Sequence, residues 1–528
     1  MRDIEDLISF PKKRQAVWEP PAPPPAPPTL HYDVIIIGGG AVGFSIARCL
    51  SSTTTRTAVL ERADDVGQGA SKANSGIVHG GYDERHGTLK ARVARVGNAM
   101  FEQLNQELHF GFRRVGALVL AVKPEEMPLL MQLKNNGKLN GVKDLRILNR
   151  QQILEMEPHI NPNVHAALYC PSTGITSPYE YVIALAENAS SNGVDIHLEQ
   201  EVVDVQRTDG NVFLVKTDRG GSYAAPVVVN AAGLFADRIA AMVGAKDFEI
   251  EGRKGEYVIL NRSQAHLARH VLFPVPSPEA GKGILVSQTY HGNLLLGPTS
   301  RATHGPGPLL TNRQVLELIL QSARQSIPDV DAGEAITSYT GLRAKCSRRD
   351  FVVEESRAVP RFVNVAGIDS PGLTSSPAVA LLVMDILRER CGLRMLPNAK
   401  YNPHRRAIFI RKSADFDGEI DHSDPAKNII CRCERVTEAE IVDALHRPLT
   451  AAATDAVKRR TRAGMGPCQG TFCEPRVTRL IARERGIPES AVKRRGPGSS
   501  VLPHRRITEE DRALLEELAK NPPTSSKL

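Results

Sequence analysis

The chain has 528 residues, of which 41% are hydrophobic and 24% charged, and a formal net charge of +8. This length predicts roughly two to four domains with a substantial buried core, and no apolar run is long enough to cross a membrane. The positive charge is concentrated in residues 451–528, which hold 16 Lys and Arg against 9 Asp and Glu. Because these basic residues are not interleaved with aromatic ones, we expect a solvated surface or a site for an acidic partner, and no binding of nucleic acid.

Residues 1–30 contain a proline-rich run that buries little, which predicts a disordered leader. A short apolar strand then leads into the pattern G-x-G-x-x-G, formed by Gly38, Gly40 and Gly43. These glycines allow a tight turn, close approach of the backbone to a pyrophosphate, and close packing of the next helix. Glu61 ends the following strand, where it can accept a hydrogen bond from a ribose hydroxyl. The arrangement predicts a Rossmann-like dinucleotide-binding domain.

From residue 31 to about residue 400, short β-rich runs alternate with helical segments, which is typical of an α/β fold. Buried parallel strands are expected at 34–37, 58–60, 227–230 and 362–366. More polar runs predict antiparallel strands at 117–122, 256–261 and 293–297. We therefore predict that the Rossmann-like domain is interleaved with an α+β substrate domain, at approximately residues 116–180 and 251–335.

The last part of the chain is predicted to hold a polar linker (401–427), a small helical cysteine-rich domain (428–480) and a basic tail (481–528) with a helix from Thr508. The N-terminus is acidic and lacks the apolar core of a secretory signal, so we expect clustered cysteines to bind metal and not to form disulfides. Four of the eight cysteines lie in the small domain: Cys431, Cys433, Cys468 and Cys473. Four thiolates fit a 2Fe–2S cluster or one zinc ion, although the first pair, C-x-C, is tight for zinc.

Several blocks resemble the FAD-dependent oxidoreductases of the D-amino-acid-oxidase superfamily and follow the order of that family. Residues 69–81 are similar to the segment under the flavin, and residues 229–233 and 367–377 are similar to the turns that approach FAD from the other side. Residues 87–91 and 254–257 resemble the glycerol-3-phosphate and L-2-hydroxyglutarate dehydrogenase branches. The resemblance implies bound FAD. Besides the residues of the glycine turn and Glu61, it implies FAD contacts from Ser71, Asn74, Ser75, Gly76, Val203, Gly233, Gly341, Gly367, Gly372, Leu373 and Thr374.

The cysteine-rich segment resembles a second, smaller domain type. Residues 430–434 and 464–473 are similar to the bacterioferritin-associated-ferredoxin-type 2Fe–2S domain fused to the large subunit of anaerobic glycerol-3-phosphate dehydrogenases. The resemblance implies that the four clustered cysteines hold a 2Fe–2S cluster, with two thiolates on each iron. The basic run at 458–462 belongs to the same pattern and is expected to form a helix face near the cluster.

Oxidation of a CH–OH group by FAD needs a base for the hydroxyl proton and an anchor for a charged substrate. His79, in the segment similar to the one near the flavin, and His291, on the predicted substrate-domain sheet, are candidate bases, although each could be a structural histidine held by hydrogen bonds. Arg343 is the candidate anchor, because the family has an arginine after a similar glycine and a guanidinium binds phosphate or carboxylate in two-pronged fashion. Ala344 stands where relatives commonly have proline, which leaves the loop geometry open. Further cations that could add positive charge are Arg253, Lys254 and Lys345.

The resemblance implies an FAD-dependent dehydrogenase that oxidises a small anionic substrate, first of all glycerol 3-phosphate. Electrons would pass through a 2Fe–2S cluster to an acceptor protein or a quinone. The alternative substrate is L-2-hydroxyglutarate or another 2-hydroxy acid. A hypothesis of a different class is a flavin-bearing scaffold without turnover, in which the cysteines hold structural zinc.

The chain ends in the tripeptide Ser526-Lys527-Leu528, which the peroxisomal import receptor reads as an address. It predicts a location in peroxisomes or glycosomes. Without import, we expect the protein to be cytoplasmic.

Overall fold

The computed structural model describes residues 28–276, 283–303, 309–407, 423–449 and 451–501. Its strands are β1 (Leu30–His31), β2 (Val34–Ile37), β3 (Thr57–Leu60), β4 (Ile77–Val78), β5 (Phe112–Arg114), β6 (Ala117–Ala121), β7 (Arg146–Asn149), β8 (Ala166–Cys170), β9 (Gly174–Thr176), β10 (Asp195–His197), β11 (Val202–Arg207), β12 (Phe213–Thr217), β13 (Ser222–Ala225), β14 (Val227–Asn230), β15 (Ile250–Leu260), β16 (Val271–Pro274), β17 (Leu285–Gln288), β18 (Leu294–Gly297), β19 (Arg301–Thr303), β20 (Ala335–Cys346), β21 (Val352–Glu355), β22 (Phe362–Ala366), β23 (Ile429–Cys431) and β24 (Val436–Thr437). Its α-helices are α1 (Ala41–Ser51), α2 (Leu89–Leu108), α3 (Met127–Leu139), α4 (Arg150–Met156), α5 (Pro178–Ser191), α6 (Ala236–Met242), α7 (Arg313–Ser326), α8 (Gly372–Glu389), α9 (Glu438–Leu445), α10 (Thr454–Thr461) and α11 (Glu474–Arg485).

The first sheet is the core of the nucleotide-binding domain. Its strand order is β10-β3-β2-β14-β22-β21, and all neighbours are parallel except β21 and β22. Strands β2 and β14 are buried along their whole length, because helices α1, α5 and α8 cover one face and α6 with the β11–β13 sheet covers the other. Such double coverage explains why these strands are continuous apolar runs. The predicted Rossmann-like α/β fold is confirmed.

The second large sheet forms the predicted substrate domain. It has nine strands in the order β19-β15-β18-β17-β16-β6-β8-β7, with β20 paired to β15. Its members come from two separate stretches of the chain, so the nucleotide and substrate domains are interleaved. The sequence-based boundary at residue 335 differs from the structure, because β20 remains paired with β15 as far as Cys346. The second half of β20 carries Arg343 and Lys345 and is only partly buried. Because these residues are polar, the sequence of this half does not show the apolar pattern of a strand.

The cysteine-rich segment folds as a small domain, here called the cysteine domain (residues 423–449 and 451–501). The hairpin β23–β24 and helices α9 to α11 enclose a core that includes Ile441, Val457 and Ile481. The predicted end at residue 480 differs from the structure, because α11 continues to Arg485 and Val492 is fully buried in the same core. The first part of the predicted basic tail therefore belongs to this domain.

The structure describes only parts of the predicted linker and little of the two ends of the chain. The described start of the predicted linker, residues 401–407, lies against the nucleotide-binding domain, where Arg405 donates to Glu187 of α5 (2.7 Å). Nearly all of the predicted leader, the helix from Thr508 and the terminal tripeptide Ser526-Lys527-Leu528 lie outside the described residues. No helix in the described part of the chain combines the length and apolar character needed to span a bilayer.

Candidate functional site

The glycine turn between β2 and α1 is built without room for side chains. Gly38 has φ of +111°, and a Cβ on it would lie 2.5 Å from the carbonyl oxygen of Ala231 at the end of β14. A Cβ on Gly43 would overlap the carbonyl oxygen of Gly38. Gly40 precedes α1 as its N-cap, in extended backbone and without a side-chain cap. The positive end of α1 therefore faces this turn, as a pyrophosphate site requires.

A buried carboxylate borders the turn. Glu61 accepts hydrogen bonds from the backbone N–H groups of Gly39 (2.7 Å) and Ala63 (2.9 Å). Burial raises the pKa of Glu61, although these hydrogen bonds favour its charged form. Each carboxylate oxygen keeps a further lone pair, so the position fits a ribose hydroxyl.

Residues 61–76, here called the FAD segment, return to the start of α1. Ser71 accepts a hydrogen bond from the N–H of Ala41 (2.9 Å), and a Cβ on Gly40 would lie 3.0 Å from the same hydroxyl oxygen. Asn74 shapes the following turn, because its Oδ1 accepts from the N–H of Gly76 (2.8 Å) and its Nδ2 donates to the carbonyl of Ser71 (2.9 Å). Ser75 lies between them in this turn. The glycine turn, Glu61 and the FAD segment together fit the dinucleotide part of FAD.

Helix α8 approaches the same region from the other side. Thr374, in its first turn, accepts a hydrogen bond from the N–H of His79 (3.0 Å) and donates to the carbonyl of Ile77 (3.3 Å). The structure thus brings the N-terminus of α8 to β4, directly after the FAD segment. The other predicted FAD contacts at these two turns are Gly233 after β14, Gly367 after β22, and Gly372 and Leu373 at the start of α8.

Val203 is also a predicted FAD contact, but its side chain does not point towards these turns. It lies on β11 of the separate four-stranded sheet, and its side chain is 51% exposed. The neighbouring Val202 is the buried member of this valine pair. The repeat of two valines hides which one faces inwards, because the strand register is not visible in the sequence.

The ladder between β15 and β20 presents one face to the FAD segment. Residues directly opposite each other on this face are Arg253 and Arg343, then Gly255 and Gly341, then Tyr257 and Tyr339. A Cβ on Gly341 would overlap the carbonyl oxygen of Ala73, so the strand backbone touches the FAD segment there. The phenol of Tyr339 donates to the carbonyl of Asn74 (2.7 Å), and its ring stacks on Tyr257 with 4.6 Å between centroids.

The two arginines of this face are candidates for binding an anion. Arg343 donates to the carbonyl of Thr299 (3.3 Å), and Arg253 donates to the hydroxyl of Ser300 (2.8 Å). Among the described residues, no carboxylate pairs with either guanidinium. Two like charges directly opposite on a ladder are unfavourable unless an anion lies between or above them. On the other face, by contrast, Lys254 and Arg301 are both neutralised by the buried Glu256.

The two candidate bases lie in different surroundings. The ring of His79 packs near Phe273, with 6.2 Å between the ring centroids. Phe273 belongs to the same apolar cluster as Tyr257. Arg343 donates a hydrogen bond to the phenol of Tyr257. His79 and Arg343 therefore each contact a member of this cluster. His291 is only 5% exposed and is hydrogen-bonded through Nε2 to Glu180 (2.7 Å).

His291 belongs to the contact between the substrate domain and the cysteine domain. Its carbonyl accepts a hydrogen bond from Arg262 (3.0 Å), whose guanidinium also binds Glu434 of the cysteine domain (2.6 Å). Burial lowers the pKa of His291, against the opposing effect of Glu180. The candidate base His291 therefore lies at this domain contact with its Nε2 held by Glu180, and its role as a base stays a prediction.

The four clustered cysteines lie as two pairs. The sulfur atoms of Cys433 and Cys468 are 3.6 Å apart, and Cys431 hydrogen-bonds with Cys473 in the buried half of the site. The hydrogen bond between Cys431 and Cys473 lowers the pKa of Cys431 and raises that of Cys473, so it favours a thiolate on only one member of this pair. A Cβ on Gly466 would overlap the side chain of Cys433. In the part of the chain that the structure describes, no three His, Cys, Asp or Glu side chains are arranged around one metal ion.

This pairing fits a two-iron cluster, which takes two thiolates on each iron. The basic run at residues 458–462 lies only in part near the cluster, as predicted for the whole run. Lys458 is on that side, because a Cβ on Gly464 would lie 3.8 Å from Lys458 and 3.9 Å from the sulfur of Cys473. Arg459 and Arg460 of α10 are buried against Asp65 of the FAD segment, and Arg462 binds Glu434 (2.8 Å). No feature of the sequence links these arginines to an aspartate so far away in the chain. Tyr257 and Tyr339 were missed for the same reason, because only the pairing of β15 with β20 joins them.

Comparison with known proteins agrees with this geometry. Residues 33–386 match the family described as FAD dependent oxidoreductase, and residues 429–483 match the BFD-like 2Fe–2S binding domain. Among curated relatives, the glycerol 3-phosphate dehydrogenase of Caloramator mitchellensis is 45% identical over 475 residues, which cover 89% of this chain and 98% of the relative. The mitochondrial L-2-hydroxyglutarate dehydrogenase of Nematostella vectensis is 29% identical over 417 residues, which cover 68% of this chain and 91% of the relative.

A solved structure supports the same assignment. Dithionite-reduced L-alpha-glycerophosphate oxidase from Mycoplasma pneumoniae, with FAD bound, has a TM-score of 0.68 and 28% sequence identity, covering 71% of this chain and 98% of that chain. The predicted cofactors, FAD and a 2Fe–2S cluster, are confirmed by the two family matches. The chain therefore belongs to the FAD-dependent oxidoreductase family and carries a BFD-like 2Fe–2S binding domain.

Proposed function

We propose that this protein is a glycerol-3-phosphate dehydrogenase that passes electrons from FAD through its 2Fe–2S cluster to an acceptor protein or a quinone. The proposal rests on Arg253 and Arg343, which lie opposite each other on the ladder face that touches the FAD segment, without a carboxylate partner among the described residues. Two guanidinium groups complement the charge and the oxygen geometry of a phosphate dianion. The 45% identity to a glycerol 3-phosphate dehydrogenase over 98% of its length supports this substrate.

The side chains of the candidate site have distinct tasks in this reaction. FAD, when bound, accepts the hydride from the CH–OH carbon. Arg253 and Arg343 hold the phosphate, which fixes the position of that carbon. The stacked rings of the buried Tyr257 and the half-buried Tyr339 limit the access of water to the adjoining wall. The imidazole of His79 takes the hydroxyl proton, as general-base catalysis of this oxidation requires.

The onward transfer of electrons follows from the position of the cysteine pairs. Cys431 and Cys473 are buried, whereas Cys433 is exposed. A cluster held by these four sulfurs would have one edge towards the interior and one edge at the surface. The surface edge is where an external acceptor would approach.

L-2-Hydroxyglutarate remains the second candidate substrate, because a relative 29% identical oxidises it by name and its carboxylates would also bind two arginines. A zinc-bearing scaffold is disfavoured by the match to a 2Fe–2S domain and by the pairing of the thiols.

An anaerobic absorbance titration of the purified holoprotein tests the proposal. Glycerol 3-phosphate should bleach the flavin band and then the iron–sulfur absorbance, whereas L-2-hydroxyglutarate at the same concentration should not. Metal analysis on the same sample should give two iron atoms and acid-labile sulfide per chain. A flavin band that responds to L-2-hydroxyglutarate alone would assign the protein to the second substrate.

We also propose that the terminal Ser526-Lys527-Leu528 directs the protein to peroxisomes or glycosomes. The support is the tripeptide itself, which is a receptor-read address. A fluorescent protein fused in front of the intact C-terminus should enter peroxisomes in cultured eukaryotic cells. The same fusion without the last three residues should stay in the cytoplasm, and equal distributions of the two would contradict the proposal.

A further inference from the structure

Asp65, in the middle of the FAD segment, is enclosed by two arginines of the cysteine domain. Arg460 donates to both carboxylate oxygens (2.7 and 2.9 Å), and Arg459 donates to one of them (2.7 Å). Asp65 and Arg460 are each only 2% exposed. Burial raises the pKa of Asp65, but Arg460 and Arg459 outweigh this effect and hold the pKa well below its usual range. Each buried charge therefore depends on its partner, because removing one partner leaves the other desolvated and unpaired.

The same helix and the end of the cysteine domain contact the FAD segment at further points. Arg459 donates to the carbonyl of Val66 (3.1 Å), and Asp455 lies 4.0 Å from the Nζ of Lys72. The N–H of Gly496 donates to Asp64 (2.5 Å). The contacts of Asp64 and Val66 fall between Glu61, which borders the ribose position, and Ser71, which binds the start of α1, and the contact of Lys72 comes directly after Ser71.

The FAD segment is also tied to the glycine turn. The N–H of Gly67 donates to the carbonyl of Gly39 (2.8 Å), the same residue whose N–H donates to Glu61 (2.7 Å). Any shift of residues 64–67 would therefore move backbone that forms the pyrophosphate and ribose positions. Arg459 and Arg460 act on FAD through this segment and are positioning residues, not contacts of the cofactor.

We propose that the cysteine domain holds the FAD segment in its binding conformation through the Asp65–Arg460 and Asp65–Arg459 ion pairs, so that docking of this domain and binding of FAD stabilise each other. Two processes that order the same segment are coupled, and each then strengthens the other. The family fold supplies the FAD site, and in this chain the docked cysteine domain adds to its affinity.

The test uses the full-length protein, from which FAD is removed and then titrated back. Arg460→Gln is expected to raise the dissociation constant of FAD at least about tenfold, because Asp65 loses its two-pronged partner. Hydrogen exchange of residues 61–76 should accelerate in the same variant, while the iron content stays that of the unchanged protein. Neither readout needs substrate, so the result is independent of the proposed activity. Unchanged FAD affinity and exchange would overturn the proposal.

The matched control is Arg447→Gln. Arg447 also joins the cysteine domain to the nucleotide-binding domain, donating to Glu187 of α5 (3.3 Å), but its contacts in the described structure do not include the FAD segment. Its FAD affinity should remain within about twofold of the unchanged protein. An equal loss of FAD affinity in both variants would mean that general loosening of the domain is responsible, and would overturn the proposal.

A second variant covers the case in which Arg460→Gln does not fold. Asp455 is part-buried and pairs with both Lys72 and Arg459. Asp455→Asn is expected to weaken FAD binding in the same direction by a smaller factor, and to accelerate exchange at the same residues. Normal affinity and exchange in Asp455→Asn would count against the coupling.

A different observation concerns the surface beside the cysteine pair Cys433 and Cys468. Phe472, one residue before Cys473, is 78% exposed, although a large aromatic side chain is normally buried. Arg432 is exposed on the other side of Cys433 and, among the described residues, has no carboxylate partner. An exposed aromatic residue, whose backbone hydrogen-bonds to Cys468, and a cation directly before Cys433 in the chain are thus both exposed at the cluster site.

We infer that this surface, Arg432 with Cys433 and Phe472, docks an acidic one-electron redox protein; the inference rests on the proposed electron relay. Aromatic residues and arginine are enriched in protein interfaces, and complementary charge steers redox partners together. Apart from Arg459 and Arg460, which are buried against Asp65, residues 423–501 hold 13 Lys and Arg against 9 Asp and Glu, so an acidic partner is the complementary one. One electron leaves the reduced cluster and enters the acceptor, and no bond is formed or broken.

The experiment compares two small haem proteins of opposite charge as one-electron acceptors, acidic cytochrome b5 and basic cytochrome c. The holoprotein is reduced with dithionite and freed of excess reductant, so the outcome does not depend on the identity of the substrate. Cytochrome b5 should be reduced faster than cytochrome c at low salt, and the difference should shrink as salt is added. Equal rates at all salt concentrations would overturn the inference.

Variants then locate the docking surface. Phe472→Ser and Arg432→Glu should each slow reduction of cytochrome b5 about tenfold, and Phe472→Ser, which changes no charge, should leave reduction of ferricyanide, a small acceptor, unchanged. Leu139→Ser, which removes another exposed apolar side chain (65% exposed) on α3, is the control and should change neither rate. If Phe472→Ser instead abolishes binding to vesicles of anionic lipid and leaves cytochrome b5 unaffected, the surface binds membranes and the inference is wrong.

Discussion

At the scale of single residues, the two arginines opposite each other on the β15–β20 ladder are the feature that we propose selects an anionic substrate. Removing Arg343 should weaken phosphate binding, because its charge-assisted hydrogen bonds are worth about 1.5–3 kcal/mol. We expect Arg343→Gln to raise the KM for glycerol 3-phosphate about 10- to 100-fold, with a smaller effect on kcat. Steady-state kinetics with ferricyanide as acceptor measures this.

The control for Arg343 is Arg301→Gln. Arg301 lies on the neighbouring β19 but is already neutralised by Glu256 (2.7 Å), on the other face of the sheet. Its removal should leave the KM within about twofold, because it has no free charge to offer the substrate. A normal KM in Arg343→Gln would show that the anion is held elsewhere.

The assignment of the base can be tested by treating the two histidines alike. We expect His79→Asn to slow anaerobic flavin reduction by glycerol 3-phosphate about 100-fold at saturating substrate, which is the usual size of a general-base contribution. His291→Gln should keep flavin reduction within about twofold, because the structure commits His291 to Glu180. Stopped-flow absorbance at the flavin band measures both. The reverse pattern would make His291 the base.

Single residues also mark the limit of what the sequence could predict. Glu61 and the three glycines of the turn were predictable, because their tasks depend on neighbours in the chain. The stacking of Tyr257 on Tyr339 and the pairing of Asp65 with Arg460 depend on strand register and domain docking, so no local pattern reports them. Val203, implied by the family resemblance, and His291, proposed from its position on the predicted sheet, show the same limit, because the exposure of the first and the Glu180 contact of the second depend on the tertiary structure.

At the scale of elements, a substitution in the loop that carries Cys468 distinguishes two steps, the reduction of the flavin by substrate and the transfer of electrons to the acceptor. Cys468→Ser removes one of the four sulfur ligands and should abolish transfer to cytochrome b5, while flavin reduction by substrate stays nearly unchanged. The reason is that the FAD segment and the β15–β20 ladder contain none of the cluster ligands. Cys49→Ala, a cysteine of α1 outside the cluster, is the control and should retain both steps. Equal loss of flavin reduction in folded Cys468→Ser would make the cluster structural.

The contact between the substrate domain and the cysteine domain should depend on pH through His291. Its folded pKa is lowered by burial, with Glu180 and Glu434 opposing this effect and Arg462 adding to it. The unfolded chain therefore binds more protons near pH 6, so stability rises with pH and is lost as pH falls through the unfolded value of about 6.5.

We expect the thermal unfolding midpoint to fall between pH 7.5 and pH 5.5, and to fall less in His291→Gln, which cannot take up that proton. Asp65 contributes nothing in this window, because its pKa is lowered and it stays ionised throughout. Differential scanning calorimetry at matched ionic strength measures the midpoints. An identical pH dependence in the variant would exclude His291 as the titrating group.

At the scale of the whole molecule, alternating β and helical runs predicted the α/β class and the interleaving of two domains, because burial on both faces of a parallel sheet leaves a clear apolar pattern. Domain ends were predicted less well. The second half of β20 was not recognised as a strand, because it contains polar residues. The last part of the cysteine domain was not recognised, because basic residues surround the core residues Ile481 and Val492. The docking of that domain on the FAD segment had no counterpart in the sequence analysis, since it joins residues nearly four hundred positions apart.

The cysteine domain docks on the FAD segment, and one chain carries both FAD and a 2Fe–2S cluster. The number of electrons that a chain can store is the sum for these two groups. FAD takes two electrons and a 2Fe–2S cluster takes one, so complete reduction should consume about 1.5 equivalents of glycerol 3-phosphate per chain. Cys468→Ser should stop at about 1 equivalent, because only the flavin remains reducible. Anaerobic titration followed at the flavin and iron–sulfur bands measures both end points. An end point near 1 equivalent in the unchanged, iron-loaded protein would mean that electrons do not pass from the flavin to the cluster.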